Sequence, residues 1–320
     1  MEEMQSGEDG EITKARVRSI QSFRMMAWFR PPTEEFGIGS VVQILAAEAV
    51  VAAEGSTGLH NISDGARDRL LRIGTGKEAI GEEDWVWEVV RPTMRARHES
   101  SGDIATFGAM RSFDENRTIG DLCKVELASP MRRSFQLKAL RAKAVEEALR
   151  TIPGDRVKAE DMADNLVTAV HASLGPDVET VRELLFRSLA MQESDPHEIT
   201  DGRVLADLTR LGKLRQQLKV VASQTGHTFA ELKMIPEKAL PSRAIENALA
   251  NHGQKRQKRP ISDVIDGHLA TFAAYCDELY VGKRTAEDFR RVARMEPMLA
   301  EPFGKIGTSA SYHQLMGVES

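Results

Sequence analysis

Acidic side chains recur at helical spacing in the last quarter of the chain. Asp263, Asp266 and Asp277 fall with Ala270 and Ala273 on steps of three or four residues, which share one face of a continuous helix. Clustered carboxylates repel each other, and a bound Mg²⁺ or Mn²⁺ would relieve the repulsion. The alanines predict a shallow floor open to a ligand. A structural explanation stays open, because Asp263 would lie in a first helical turn, where acids favour the helix dipole.

A further carboxylate stands inside an apolar run near the start of the chain. Glu48 lies three or four residues from Ile44, Leu45, Val51 and Ala52, so a helix would place it on an apolar face. A lone buried carboxylate is costly unless it is paired, hydrogen-bonded or bound to metal. The sequence leaves open whether Glu48 binds a metal, pairs with an arginine or faces solvent.

Basic residues flank the acidic positions on both sides. Positive charge beside a metal site is what a phosphodiester substrate would need, but basic runs are also typical of solvated loops and exposed helix faces. The residues are Lys255, Arg256, Lys258, Arg259, Lys283, Arg284, Arg290, Arg291 and Arg294.

The composition limits the class of protein. The 320 residues are 41% apolar and 28% charged, which predicts a sizeable core in one large domain or two smaller ones. The net charge of −5 means that nucleic-acid binding would need a local basic patch. Two cysteines, Cys123 and Cys276, exclude a disulfide scaffold or a cysteine-rich zinc module.

The chain is expected to lie in the cytoplasm and not in a membrane. Its longest apolar run, residues 41–53, is interrupted by Gln43 and Glu48 and is shorter than the roughly 20 residues that a membrane span needs. The polar, acidic start does not have the pattern of a signal peptide. Both cysteines are therefore expected as free thiols in a reducing compartment.

Apolar periodicity predicts mostly helices. A first helix is predicted over residues 13–30, a second over 41–54, and a third that begins near Ser63 and includes Ile73. Leucines at helical spacing predict a block of helices over residues 122–223.

The last 85 residues change in character. A helix is predicted from Ser242, another from Ser262 to Tyr275, and then a short buried strand over 278–281 with alternating side chains. A helix that begins at Ala286 is predicted to follow.

Residues 240–285 resemble the C-terminal half of the PIN-like nucleases. In that family an aspartate opens a helix, and a short strand and a basic pair follow. Asp266 matches the aspartate of the helix, Asp277 lies at the turn from helix to strand, and Lys283-Arg284 match the basic pair. Glu48 is similar in place to a catalytic glutamate that the family carries on an early helix.

The resemblance implies a helix-rich, three-layer α/β fold with a short parallel sheet and a large helical insertion. Residues 1–119 would form the N-terminal part of the α/β domain, 120–235 the insertion, and 236–320 the C-terminal PIN-like part.

The resemblance also implies metal-dependent cleavage of phosphodiesters, with RNA as the substrate. Asp266, Asp277 and Glu48 would be catalytic. Mg²⁺ or Mn²⁺ would be held by Asp266, Asp277, Glu48 and Asp263. Lys283, Arg284 and Arg259 would bind the substrate.

Two departures from the family pattern keep a second interpretation open. The family's aspartate before the basic pair is Gly282 here, and no apolar strand that ends in aspartate is found near residue 1. The alternative is a non-catalytic, helix-rich interaction or regulatory protein, including an inactive relative of the nucleases. A second copy of the chain or a regulatory protein is left open as a partner.

Overall fold

The structure is a computed structural model that describes residues 10–29, 41–82, 114–126, 130–151, 154–174, 179–254, 267, 269–300 and 303–308. The α-helices in these ranges are α1 (Gly10–Gln21), α2 (Val41–Ala53), α3 (Leu59–Leu70), α4 (Gly76–Ile80), α5 (Ile119–Cys123), α6 (Pro130–Thr151), α7 (Arg156–Leu174), α8 (Val181–Met191), α9 (Leu205–Gln224), α10 (Phe229–Lys233), α11 (Pro241–His252), α12 (Lys283–Met295) and α13 (Pro297–Ala300). The strands are β1 (Met26–Phe29), β2 (Leu71–Gly74), β3 (Glu278–Tyr280) and β4 (Lys305–Gly307). Short 3₁₀ helices lie at Pro196–Glu198, Glu237–Ala239 and Thr271–Ala274.

The chain divides into two compact units. Unit 1 combines Met1–Glu99 with Leu218–Ser320, and unit 2 is Ser100–Gln217. Unit 2 overlaps the helical insertion that was predicted over residues 120–235, but both of its boundaries lie about 20 residues earlier in the chain. Among the described helices, none is both long enough and apolar enough to cross a bilayer.

The first half of unit 1 contains an antiparallel ribbon that was not predicted. Helix α1 ends at Gln21 instead of continuing to residue 30, and β1 then pairs with β2, Met26 opposite Gly74. The predicted third helix likewise ends at Leu70, so that Ile73 lies in a strand. Apolar periodicity does not separate short strands from helix ends, and here strand pairing satisfies the backbone groups of both segments.

A parallel strand pair joined by a helix closes unit 1. Strand β3 pairs with β4, Leu279 opposite Ile306, and α12 lies between them in the chain. Gly304 is required at the entry to β4, because a Cβ there would lie 1.8 Å from the carbonyl oxygen of Cys276. Leu279 and Val281 are more buried than Glu278 and Tyr280, which confirms the predicted alternation. The prediction of a buried strand over 278–281 is wrong, because β3 ends at Tyr280 and exposes Glu278 and Tyr280 on one face. The helix-rich α/β class is therefore confirmed.

The face that was predicted to be open to a ligand is part of the core. Ala270 and Ala273 are fully buried and pack with Ile245 and Phe289, whereas the neighbouring Leu269 is 37% exposed. The prediction of a shallow alanine floor is wrong. The physical reason is the 3₁₀ turn at Thr271–Ala274, which has three residues per turn and breaks the α-helical register on which the stripe depended.

Asp277 lies beyond that turn and does not belong to a helix. The neighbouring Cys276 is half-buried, and burial raises the pKa of its thiol. A raised pKa agrees with an unreactive cysteine.

Unit 2 is helical in its described residues. Helices α5, α8 and α9 surround a core that includes Leu122, Leu189 and Leu208, each buried. Helix α6 packs on α7, where the Arg141 guanidinium donates two hydrogen bonds to Asp164, of 2.5 and 2.8 Å.

Candidate functional site

Glu48 is fully buried in unit 1 and accepts hydrogen bonds from three donors. The backbone N–H of Ser242 donates to Oε1 over 2.8 Å, and the Ser242 hydroxyl donates to Oε2 over 2.7 Å. The Tyr275 hydroxyl donates to Oε1 as well. We refer to Glu48, Ser242, Tyr275 and the neighbouring Arg243 as the Glu48 cluster.

The Glu48 cluster joins three segments that are distant in sequence. Helix α2 brings Glu48 into the core because its flanking residues are apolar. Helix α11 begins with Pro241, and its N-cap residue Leu240 has no side chain that caps the helix. The Glu48 carboxylate therefore accepts the hydrogen bond of the Ser242 N–H in the first turn, which would otherwise lack an acceptor. The ring of Tyr275 is held by Phe29, whose centroid lies 5.8 Å away in an edge-on arrangement.

Arg243 supplies a buried positive charge to the cluster. Its side chain is 1% exposed and bonds to Glu237 over 2.9 Å and to Glu246. Its charge also favours the ionised form of Glu48. This guanidinium therefore has carboxylate neighbours on its own helix and on the turn before it.

Burial dominates the acid–base properties of the cluster. Burial raises the pKa of Glu48 to about 7, against the lowering effect of the hydrogen bonds from Tyr275 and Ser242 and of the Arg243 charge. Burial, and next the charge of Glu48, raises the pKa of Tyr275 well above its usual value. Near neutral pH, Glu48 therefore exists in both its protonated and its ionised form.

The bonding of Glu48 limits its use as a metal ligand. Oε1 accepts two hydrogen bonds and Oε2 one, so about three of the four lone-pair positions of the carboxylate are occupied. A cation would take the remaining position or displace a donor. Within the described ranges, Glu48 is not part of a group of three ligands suited to a metal.

The other predicted site residues lie apart from this cluster or outside the described residues. Asp277 is exposed, two residues after Tyr275, whereas Glu48 is buried. Lys283 and Arg284 are exposed at the start of α12. Asp277 and Lys283 lie at opposite ends of β3, because the extended segment between them spans up to about 20 Å. Asp263, Asp266 and Arg259 lie outside the described residues.

An acidic group in unit 2 was not predicted from the sequence. Asp195, His197 and Glu198 bring their ligand atoms within 4.8 Å of one another. The buried Arg215 donates two hydrogen bonds to Glu198, and these bonds lower the pKa of Glu198. The guanidinium of Arg215 therefore already supplies a positive charge to this group.

Sequence reasoning identified Glu48 but missed its partners. Ser242 was predicted only as a helix start, and neither Arg243 nor Tyr275 was singled out. The hydrogen bonds from Ser242 and Tyr275 to Glu48 span 194 and 227 residues, a separation that no local pattern encodes. The one available indication was a helix that starts at Pro241 without a capping side chain before it.

Asp288 was missed for a different reason. It is buried on α12 and accepts a hydrogen bond of 2.9 Å from the backbone of Gln254. Its position beside Phe289, in the apolar stripe of an otherwise charged helix, could have indicated from the sequence that Asp288 is buried.

The comparisons with known proteins add no relative. No family model, curated protein or solved structure matches the chain. The site is therefore interpreted from its own geometry.

The raised pKa of Glu48 predicts a pH-dependent stability. The folded chain holds a proton on Glu48 that the unfolded chain releases between pH 4.5 and about 7, so the free energy of unfolding falls as pH rises through this window. Glu48→Gln does not titrate and keeps an acceptor for Ser242 and Tyr275. At about 1.36 kcal/mol per pKa unit, the variant should match the wild type below pH 4.5 and exceed it by about 3 kcal/mol above pH 7.

Urea unfolding of both proteins from pH 4 to pH 8 measures this difference. Other titrating groups contribute equally to both proteins and cancel. A stability difference that stays constant with pH would contradict the raised pKa.

Proposed function

We propose that this protein cleaves phosphodiester bonds in RNA with the help of a divalent cation, in a three-layer α/β fold of the PIN-like type. The observation that carries the proposal is the exposed Lys283-Arg284 pair, which begins α12 directly after the parallel strand β3.

The geometry at this point suits a phosphate. In parallel α/β units, ligands bind beyond the carboxyl ends of the strands, and the start of α12 lies at that end of β3. Gly282 at the N-cap has no side chain to cap the first turn, and helix N-termini attract anions. The ammonium of Lys283 and the guanidinium of Arg284 add two positive charges.

The metal would depend chiefly on Asp266 and Asp263, which lie outside the described residues. Glu48 and Asp277 do not form a metal site by themselves in the described part of the chain, so oxygen ligands from Asp266 and Asp263 are needed. A bound Mg²⁺ would supply a hydroxide nucleophile and stabilise charge on the phosphate. Lys283 and Arg284 would hold the substrate phosphate in place.

A second candidate function is that of a non-catalytic interaction or regulatory protein, including an inactive relative of the nucleases. The specific observation in its favour is that Glu48 already accepts three hydrogen bonds from Ser242 and Tyr275, as expected of a structural carboxylate. Gly282, at the position where the family has an aspartate, also favours the non-catalytic function. Lys283 and Arg284 serve binding in either case.

A cleavage assay with single-stranded RNA and Mg²⁺ or Mn²⁺ tests the proposal in the wild type and in an Asp266→Asn variant. The wild type should cleave only with metal, and Asp266→Asn should lose cleavage by at least 100-fold, because the amide keeps the shape but not the charge that binds metal. Metal should raise the melting temperature of the wild type but not that of the variant. Asp161→Asn, an exposed change in unit 2, is the matched control and should cleave normally.

Cleavage that persists in Asp266→Asn would contradict the assignment of Asp266. If the wild type binds RNA but cleaves neither RNA nor DNA with either metal, the non-catalytic function is the correct one.

A further inference from the structure

We draw no further inference here: the strongest candidate, the side-chain cluster of Asp195, His197 and Glu198 in unit 2, carries none because the buried guanidinium of Arg215 already donates hydrogen bonds to both carboxylate oxygens of Glu198 and, within the described residues, no second feature points to a ligand there.

Discussion

Replacing Glu48 with alanine is expected to lower the free energy of unfolding by about 3–4 kcal/mol at pH 5. The change leaves the Ser242 N–H, the Ser242 hydroxyl and the Tyr275 hydroxyl without their acceptor in the core. An unsatisfied buried polar group costs about 1–3 kcal/mol, and local relaxation keeps the total below the sum. Chemical denaturation measures the loss.

Two variants make this result specific. Glu48→Gln keeps an acceptor for the same donors, so its stability at pH 5 should lie within about 1 kcal/mol of the wild type. Glu54→Ala removes an exposed glutamate that pairs with Arg69 and should cost less than about 1 kcal/mol. If Glu48→Ala instead stabilises the protein, the carboxylate is retained for function and not for structure.

Replacing Arg243 with methionine is expected to cost about 2–4 kcal/mol. Loss of one partner in a buried ion pair leaves the other charge uncompensated, and Arg243 is 1% exposed between Glu237 and Glu246. The two glutamates are partly exposed, at 24% and 33%, so water reduces the penalty. Arg243→Lys should not restore full stability, because lysine cannot contact both carboxylates with a planar fork.

The pH dependence provides an independent check of the role of Arg243. Its charge favours ionised Glu48, so Arg243→Met should raise the pKa of Glu48 further and extend the loss of stability to higher pH. Arg69→Met removes an arginine from an exposed pair and should change stability by less than about 1 kcal/mol. An equally small change for Arg243→Met would show that the ion pairs of Arg243 with Glu237 and Glu246 contribute little to stability.

The Glu48 cluster bears on the choice between the two candidate functions. A carboxylate that holds α2, α11 and Tyr275 together is required whether or not the protein cleaves RNA. Its presence is therefore no evidence for a metal, and the catalytic proposal depends on Asp266.

Much of the secondary structure follows from local patterns. Helix α2 begins and ends, and helix α11 begins, within one residue of prediction, because apolar spacing and Pro241 act over a few residues. The alternation of exposed Tyr280 and partly buried Leu279 in β3 is equally local. The ribbon of β1 and β2 was missed because pairing partners some 45 residues apart decide it.

The sequence by itself determined that Glu48 is anomalous, because a carboxylate among apolar residues on a helix needs a partner wherever the helix packs. It also determined the basic character of α12. Only the tertiary structure decided that the partners of Glu48 are Ser242 and Tyr275, 194 and 227 residues away, and that Ala270 and Ala273 face the core instead of a ligand. The physical reason is that spacing along one helix specifies which residues share a face, while the neighbours of that face are set by the packing of distant segments.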